Sequence, residues 1–514
     1  MKYFLMLIQL WVGFLPICAS YPKANIWIIP SVESPQVYRN YAQTSKVHLE
    51  MARGEVEHIQ LVFPSKVNEE YRFTFDRNLK GIQISARELK KMNGYYDALV
   101  PFKNQLKCTD TLTAVWITVQ CPSRVPVGKY HQTIKIEGSK HFTIQLDYNV
   151  HHTTIPLKSS IPITVGVENR CVAEGLNDKE ADKERQRWVD FVLSYRMTPV
   201  FGTQITPERW QYEHSFSPWA WNDKRSIRLL NDRRYSCYML PFFTLSENEL
   251  ASLLCNIQKK GKLKESLFYI WDEPAYMEDY EQIKQKVNII RKYASDARIL
   301  TTFFCGPRNG PRKGDLYAVF DYLKHHIHVA TISLAPCKGN EEEVQHIRYK
   351  VPEGIDWWSY VCWQPGGNEP NFLLQMKGIQ QRAIMWRTWK NGSQGFLYWN
   401  CNIYHKRNPF TYITDMPHGD GILIYPGDIL GRKGPIASAR LERWRDGAEE
   451  MELLRLVEKN YSKEKADTLL NIVYSSPLSF IEKAHNIPFF REELLDQLDK
   501  TIPIDYKLRI TDFI

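Results

Sequence analysis

Several large protein classes leave marks that this sequence does not carry. It has no dense run of Lys and Arg to track phosphates, and its net charge of +9 is spread thinly over 514 residues. Nucleic acid is therefore not an expected partner. No Cys-x-x-Cys and no Cys/His pair stands at zinc spacing, and the HHIH run at His325–His328 enters an apolar strand without a carboxylate or cysteine beside it. Gly-x-Ser-x-Gly is missing, and the glycines of GDGILIYPG (419–427) are not followed by a Lys-bearing helix that would cradle phosphate. No metal and no cofactor is expected. After the first 20 residues no segment is long and apolar enough for a membrane-spanning helix.

The opening MKYFLMLIQLWVGFLPICAS has a Lys, an apolar run from Tyr3 to Pro16, and small residues at Cys18, Ala19 and Ser20. It reads as a secretory signal over 1–20, so the mature protein is expected outside the cytoplasm, periplasmic or secreted. Lipidation at Cys18 ranks second, because Ile17 is too bulky for the residue before a lipidated cysteine. Nine of the ten cysteines then remain, an odd number that leaves at least one free thiol. Cys108 and Cys121 flank the strand-like TLTAVWITVQ and form a candidate bridge. Several of the others sit in apolar strands and read as plain buried thiols.

What is abundant is aromatic: 15 Trp and 28 Tyr, a supply common where flat sugar faces are stacked. At 43% hydrophobic and 24% charged, the chain is otherwise an ordinary globular one, long enough for two or three domains. From about Ala24 to Val150, segments such as HIQLVFPS, TAVWITVQC and HFTIQLDYNV alternate with period two between turns, which predicts an antiparallel β-sandwich over 21–155. HHTTIPLKSSIP (151–162) follows as a linker.

The period then changes. Eight candidate strands, PITVGVEN (162–169), TPVFG (198–202), YMLPFF (238–243), SLFYIW (266–271), RILTTFF (298–304), IHVATISL (327–334), WWSYVCW (357–363) and GFLYWN (395–400), alternate with helix-like segments. One of these, with Tyr280, Ile283, Val287, Ile290 and Ala294 on a single face, is a clear amphipathic helix. Eight strands over this length predict a (β/α)8 TIM-type barrel over 156–460, with a doubly wound open sheet as the rival. The remainder, 461–514, predicts a helical extension.

Within this frame SLFYIWDEPAYMED (266–279) places two adjacent acids, Asp272 and Glu273, after an apolar strand and before Pro274. A solvated turn is the plain reading. However, the C-terminal end of a barrel strand is where barrel enzymes assemble their sites, and Pro274 keeps Glu273 out of helical geometry. Paired acids amid aromatics suggest glycoside hydrolysis. Sequence neighbours are badly placed as a nucleophile and acid on opposite sides of a sugar. They suit a reaction in which the sugar's own 2-acetamido oxygen attacks, one acid stabilises the acetamido nitrogen, and the other serves as acid and then base.

FYIWDEP, WWSYVCWQPGGNEPNF (357–372), RAIMWRTWKNGSQGFLYWN (382–400), GDGILIYPG and GPIASARLERWRDGAEEMELL (434–454), in this order, resemble the catalytic domain of glycoside hydrolase family 123 over roughly 160–460. ARGEVEHIQLVF (52–63) is similar to the sandwich region of the same proteins. The resemblance implies a retaining β-N-acetylgalactosaminidase, with Asp272 as stabiliser of the cyclised intermediate and Glu273 as general acid/base. Candidate substrate contacts are Trp358, Tyr360, Trp363 and Trp399 for stacking, Tyr360 or Tyr398 as donor to the acetamide, and Asn371 and Asn400 for hydroxyls. A glycan is the implied partner. The rival functions are the same fold acting on another sugar and a glycan-binding protein without turnover.

Overall fold

The computed structural model describes residues 26–76, 80–206, 211–404, 409 and 419–501. The proposed signal over 1–20 lies outside the described residues. Ten strands form the N-terminal part: β1 (Trp27–Pro30), β2 (Lys46–Arg53), β3 (Glu55–Pro64), β4 (Glu70–Phe75), β5 (Gln83–Met92), β6 (Tyr95–Pro101), β7 (Gln105–Lys107), β8 (Leu112–Cys121), β9 (Gly128–Glu137) and β10 (His141–Thr154). They make two five-stranded sheets, ordered β1-β3-β8-β5-β6 and β2-β10-β9-β4-β7. Alternate residues of the two sheets share one core, with Leu61, Phe63, Val115 and Ile117 facing Phe73, Ile136, Ile144 and Leu146. The antiparallel expectation needs one correction, since β2 pairs with β10 in parallel.

The candidate bridge between Cys108 and Cys121 is not formed, for both are free buried thiols. They stand at opposite ends of β8, and a strand of that length spans roughly 30 Å, far beyond the reach of an S–S bond.

The second part holds β11 (Ile163–Glu168), β12 (Thr198–Thr206), β13 (Gln211–Ser215), β14 (Tyr238–Met239), β15 (Ser266–Trp271), β16 (Arg298–Phe303), β17 (Val329–Ser333), β18 (Asp356–Val361) and β19 (Phe396–Tyr398). Its helices are α1 (Asn169–Ala173), α2 (Asp178–Ser194), α3 (Lys224–Leu229), α4 (Glu247–Lys259), α5 (Met277–Arg291), α6 (Ala318–Leu323), α7 (Glu341–Tyr349), α8 (Gly378–Lys390) and α9 (Ala439–Asn460). All eight anticipated strands are present, yet the sheet is a nine-stranded mixed one, ordered β13-β12-β11-β19-β18-β17-β16-β15-β14. The ninth strand, β13, folds back antiparallel on β12, and its sequence QYEHS has no apolar alternation to betray it. The sheet curls into a nearly closed barrel. Among the described residues no ladder joins the edge strands β13 and β14, but the Phe216 N–H, directly after β13, donates to the Met239 carbonyl across that seam at 2.7 Å.

Strand periodicity sorts the barrel side chains into two sets. Val200, Met239, Leu267, Tyr269, Leu300, Val329, Trp358, Tyr360 and Leu397 fill the interior, while Phe268, Ile270, Ile299, Ala330, Trp357 and Tyr398 pack outward against the helices. In α5 the predicted face, Tyr280, Ile283, Val287 and Ile290, is fully buried.

The last barrel helix behaves unlike a surface helix. On α9 the predicted stripe of Leu441, Trp444, Met451, Leu454 and Val457 is buried, but so are Arg440, Glu442, Asp446, Glu449 and Glu450. These charges meet the sandwich and its neighbours. Arg440 pairs with Asp97 of β6 at 2.9 Å, and Glu442 accepts from Arg87 of β5 at 2.5 Å. Glu449 accepts the Val56 N–H of β3 at 3.0 Å. Gly447 permits the close approach of α8, because a Cβ there would lie 2.2 Å from the Arg382 carbonyl oxygen. Beyond α9, α10 (Lys463–Leu470) and α11 (Ile487–Asp499) pack Leu469, Phe490, Leu494 and Leu498 into the main core. From α11, Arg491 reaches Glu55 at 2.6 Å and Glu57 at 2.9 Å in the sandwich.

Candidate active site

The acids sit where the backbone of β15 stops being regular. The β15–β16 register shifts between Tyr269 and Trp271, a bulge that re-aims the strand end. Glu273 then takes a left-handed backbone with φ of 45°, an unfavourable conformation for a residue with a long side chain. Asp279, in the first turn of α5, pins the connection by accepting the N–H groups of Ala275 and Tyr276 at 2.8 and 2.9 Å. Bulge and left-handed turn together let both sequence neighbours meet the same side chain, Thr302.

Thr302 of β16 couples the pair. Its hydroxyl donates to Asp272 Oδ1 at 2.7 Å and accepts the Glu273 backbone N–H at 3.0 Å. Tyr269 donates to the same Asp272 oxygen at 2.7 Å. Asp272 is thus held in place by two hydroxyl donors, the arrangement that fits a fixed anionic acceptor. Glu273 receives a hydrogen bond from the Tyr360 hydroxyl, which arrives from β18 on another part of the barrel wall. Burial of its carboxyl, followed by the Asp272 charge, pushes the Glu273 pKa up, while the Tyr360 bond and the Arg308 charge pull the other way. Two adjacent carboxyls therefore differ in surroundings, one fixed by two hydroxyl donors and the other with a raised pKa.

A Tyr360→Phe substitution removes a bond that favours the carboxylate form, so the Glu273 pKa rises further. If the raised-pKa carboxyl of Glu273 is the group that must be protonated for activity, that change is readable in a pH profile. The alkaline limb of the kcat/KM profile is accordingly expected to move to higher pH in Tyr360→Phe, and an unmoved limb would show that Tyr360 does not touch the titrating group.

Beside Asp272, the barrel seam opens into a pocket lined by Tyr212, His214, Phe243, Tyr269 and Trp271. His214, carried by β13, stacks on Tyr269 with centroids 4.2 Å apart and planes 16° from parallel. Burial drives its pKa down to about 3, so the imidazole is neutral. Another acid, Asp420, is buried at the end of β19, where Trp399 Nε1 and the Tyr398 hydroxyl donate to its Oδ1 at 3.0 and 3.1 Å. Burial raises its pKa to about 6. Gly421, with φ of 68°, lies against the Trp399 ring, where a Cβ would come within 2.5 Å.

The structure brings Asp272, Glu273 and Tyr360 together, and it redirects other candidates. Trp358 faces inward two residues below Tyr360 and is 1% exposed, a filler of the barrel interior rather than a stacking platform. Tyr398 points to the outer face, against Phe372 and Trp444, and its hydroxyl is engaged by Asp420 and the Gly421 N–H. Asn371 is fully buried, and its amide is spent on the carbonyls of Cys362 and Pro365 and the Phe372 N–H. Asn400 is buried and accepts the Asn402 N–H at 2.9 Å. Trp363 stands 41% exposed and Trp399 is half-buried, both after strand ends on the same rim. Tyr269, Thr302, His214 and Asp420 escaped the sequence reading. The signal for Tyr269 and Thr302 was their polarity inside otherwise apolar strands.

Among the described residues no cluster of His, Cys, Asp and Glu is placed to hold a metal ion, and no helix is long and apolar enough to cross a membrane.

The family model described as glycoside hydrolase 123, catalytic domain, matches residues 183–457. No curated protein matches the chain by sequence. Among solved structures, a family 123 glycoside hydrolase from Clostridium perfringens, described for its glycolipid glycan hydrolysis, aligns with a TM-score of 0.63 at 14% identity. That alignment covers 95% of this chain and 100% of the other, and it shows a shared fold. A Bacteroides uniformis β-glucuronidase aligns at 9% identity over 78% of this chain and 48% of its own, with a TM-score of 0.31 that is too low to bear on the site.

Proposed function

The chain belongs to glycoside hydrolase family 123, and from that premise we propose that it is an exported enzyme removing terminal β-linked N-acetylgalactosamine from glycans with retention of configuration. The nearly closed sheet is read as a (β/α)8 barrel interrupted by β13. The observation that carries the proposal is the contrast within one dipeptide: Asp272 fixed by Tyr269 and Thr302, Glu273 bonded to Tyr360 with a raised pKa.

In this reading Asp272 accepts the acetamido N–H and supports positive charge as the acetamide oxygen closes on the anomeric carbon. Glu273 donates its proton to the departing glycosidic oxygen. It then takes a proton from the water that opens the cyclised intermediate. No protein nucleophile is needed. Trp399 and Trp363 are assigned to the sugar face, and Asn400 to a hydroxyl. The glycolipid glycan hydrolysis described for the Clostridium perfringens protein is compatible with a β-linked terminal sugar here.

Matched aryl β-glycosides of N-acetylgalactosamine, N-acetylglucosamine and galactose test the proposal. Aryl release confined to the N-acetyl sugars and greatest for the galacto epimer is the expected result. Release from the galactoside at a comparable rate would remove acetamido participation.

A further inference from the structure

Away from the acids, a cleft of about 530 Å³ opens between the sandwich and α9, a size typical of small-ligand sites. Its floor is ionic. Glu442 of α9 accepts from Arg87 at 2.5 Å and is also bonded by Arg445, so one carboxylate is shared by two guanidinium groups. Against the effect of burial, the Arg445 and Arg87 charges hold Glu442 well below the usual carboxylate range, so it stays ionised. Of the other acids of this face, Asp446 and Glu450 pair with Arg382 and Glu449 with Arg196, while Glu449 and Asp446 also act on Arg445 from further off. The Nε atoms of both Arg87 and Arg445 are buried without a partner. Lys103, exposed on the rim, adds a further cation. Among the charged groups that line the cleft, two arginines and a lysine stand against one carboxylate.

Its sides are aromatic and preformed. Phe102 sits edge-on to Phe73 at 5.0 Å, and Phe75 stacks on the same ring at 6.4 Å, so two half-buried rings border the opening. The rim loop is tied down from both parts of the chain. The Phe73 N–H donates to the Asn104 carbonyl at 2.7 Å, and Arg432 Nε donates to the Pro101 carbonyl at 2.9 Å.

We propose that this cleft is a second glycan site that binds an acidic oligosaccharide, one bearing carboxylate or sulfate groups. The anion meets the surplus charge of Arg87, Arg445 and Lys103, and apolar sugar faces lie on Phe75 and Phe102. A neutral saccharide lacks the ionic half of this recognition. Because binding is read without turnover, the proposal stands or falls separately from the assigned reaction.

The test is titration calorimetry of the full-length mature protein with hexagalacturonate, sulfated neocarrahexaose and maltohexaose. None of these offers an N-acetylhexosamine to the catalytic cup. At least one acidic probe is expected to bind, weakening as salt rises, while maltohexaose does not. The tighter of the two acidic probes identifies carboxylate or sulfate as the preferred anion. Lys103→Glu, an exposed change that leaves the fold alone, is expected to weaken binding roughly tenfold. Phe102→Ala, checked for an unchanged unfolding temperature, is expected to do likewise. Failure of both acidic probes to bind, equal binding of maltohexaose, or binding indifferent to Lys103→Glu would overturn the proposal.

Discussion

Glu273→Gln is expected to slow hydrolysis of substrates with poor leaving groups by roughly 10²- to 10⁴-fold, the usual worth of a positioned general acid. Gln is nearly isosteric, so the Tyr360 contact and the left-handed turn survive while the proton is lost. The dependence on the leaving group is the diagnostic. An activated aryl group such as dinitrophenyl departs without protonation, so its first step should be nearly spared, and a plot of rate against leaving-group pKa should steepen in the variant. Asp272→Asn makes the complementary case. It should depress formation of the cyclised intermediate for every leaving group, with no such steepening. Full activity of Glu273→Gln on an unactivated glycoside would remove the assignment.

The largest effect on stability is expected from Arg491→Met. Arg491 lies 2.6 Å from Glu55 and 2.9 Å from Glu57, all buried, with Glu450 of α9 at 3.6 Å. Removing the cation leaves a cluster of buried carboxylates with one counter-charge fewer, which costs about 3–5 kcal/mol. The pH dependence has a definite sign. Burial, with the Glu57 and Glu449 charges, already holds Glu55 at about 8 despite Arg491. A carboxyl with a raised folded-state pKa favours folding most below its unfolded value near 4.5, and that advantage is lost as pH rises toward 8. Without Arg491 that folded-state pKa rises further, so the deficit of Arg491→Met should stay level while Glu55 is protonated in both folded proteins and grow as pH rises through and past about 8. Denaturant midpoints of both proteins across that window measure it, and a deficit that shrinks with rising pH would contradict the charge argument.

Much of this molecule is written in local patterns. The eight barrel strands follow from short apolar runs separated by amphipathic segments, and the acid pair follows from its place at a strand end before Pro274. What escaped is whatever depends on phase or on a distant partner. Trp358 and Tyr360 share the inward face, but only closure of the barrel decides that one fills the interior while the other reaches Glu273. Tyr398 is a strand-end aromatic like Tyr360, yet it falls on the outer face. β13 is polar and short, so its pairing comes from β12 rather than from its own sequence. The charges of α9 look like those of any solvated helix until a second domain is laid on them.

The left-handed backbone at Glu273 has a bearing on how such a gene ages. The conformation costs on the order of 1 kcal/mol for a side chain like Glu and little for Gly. At this one position, replacement of the acid by Gly would relieve the backbone, whereas another side chain would keep the strain. The acid stands against the grain of its own backbone, and a chain that had stopped turning over substrate would have no reason to keep it there.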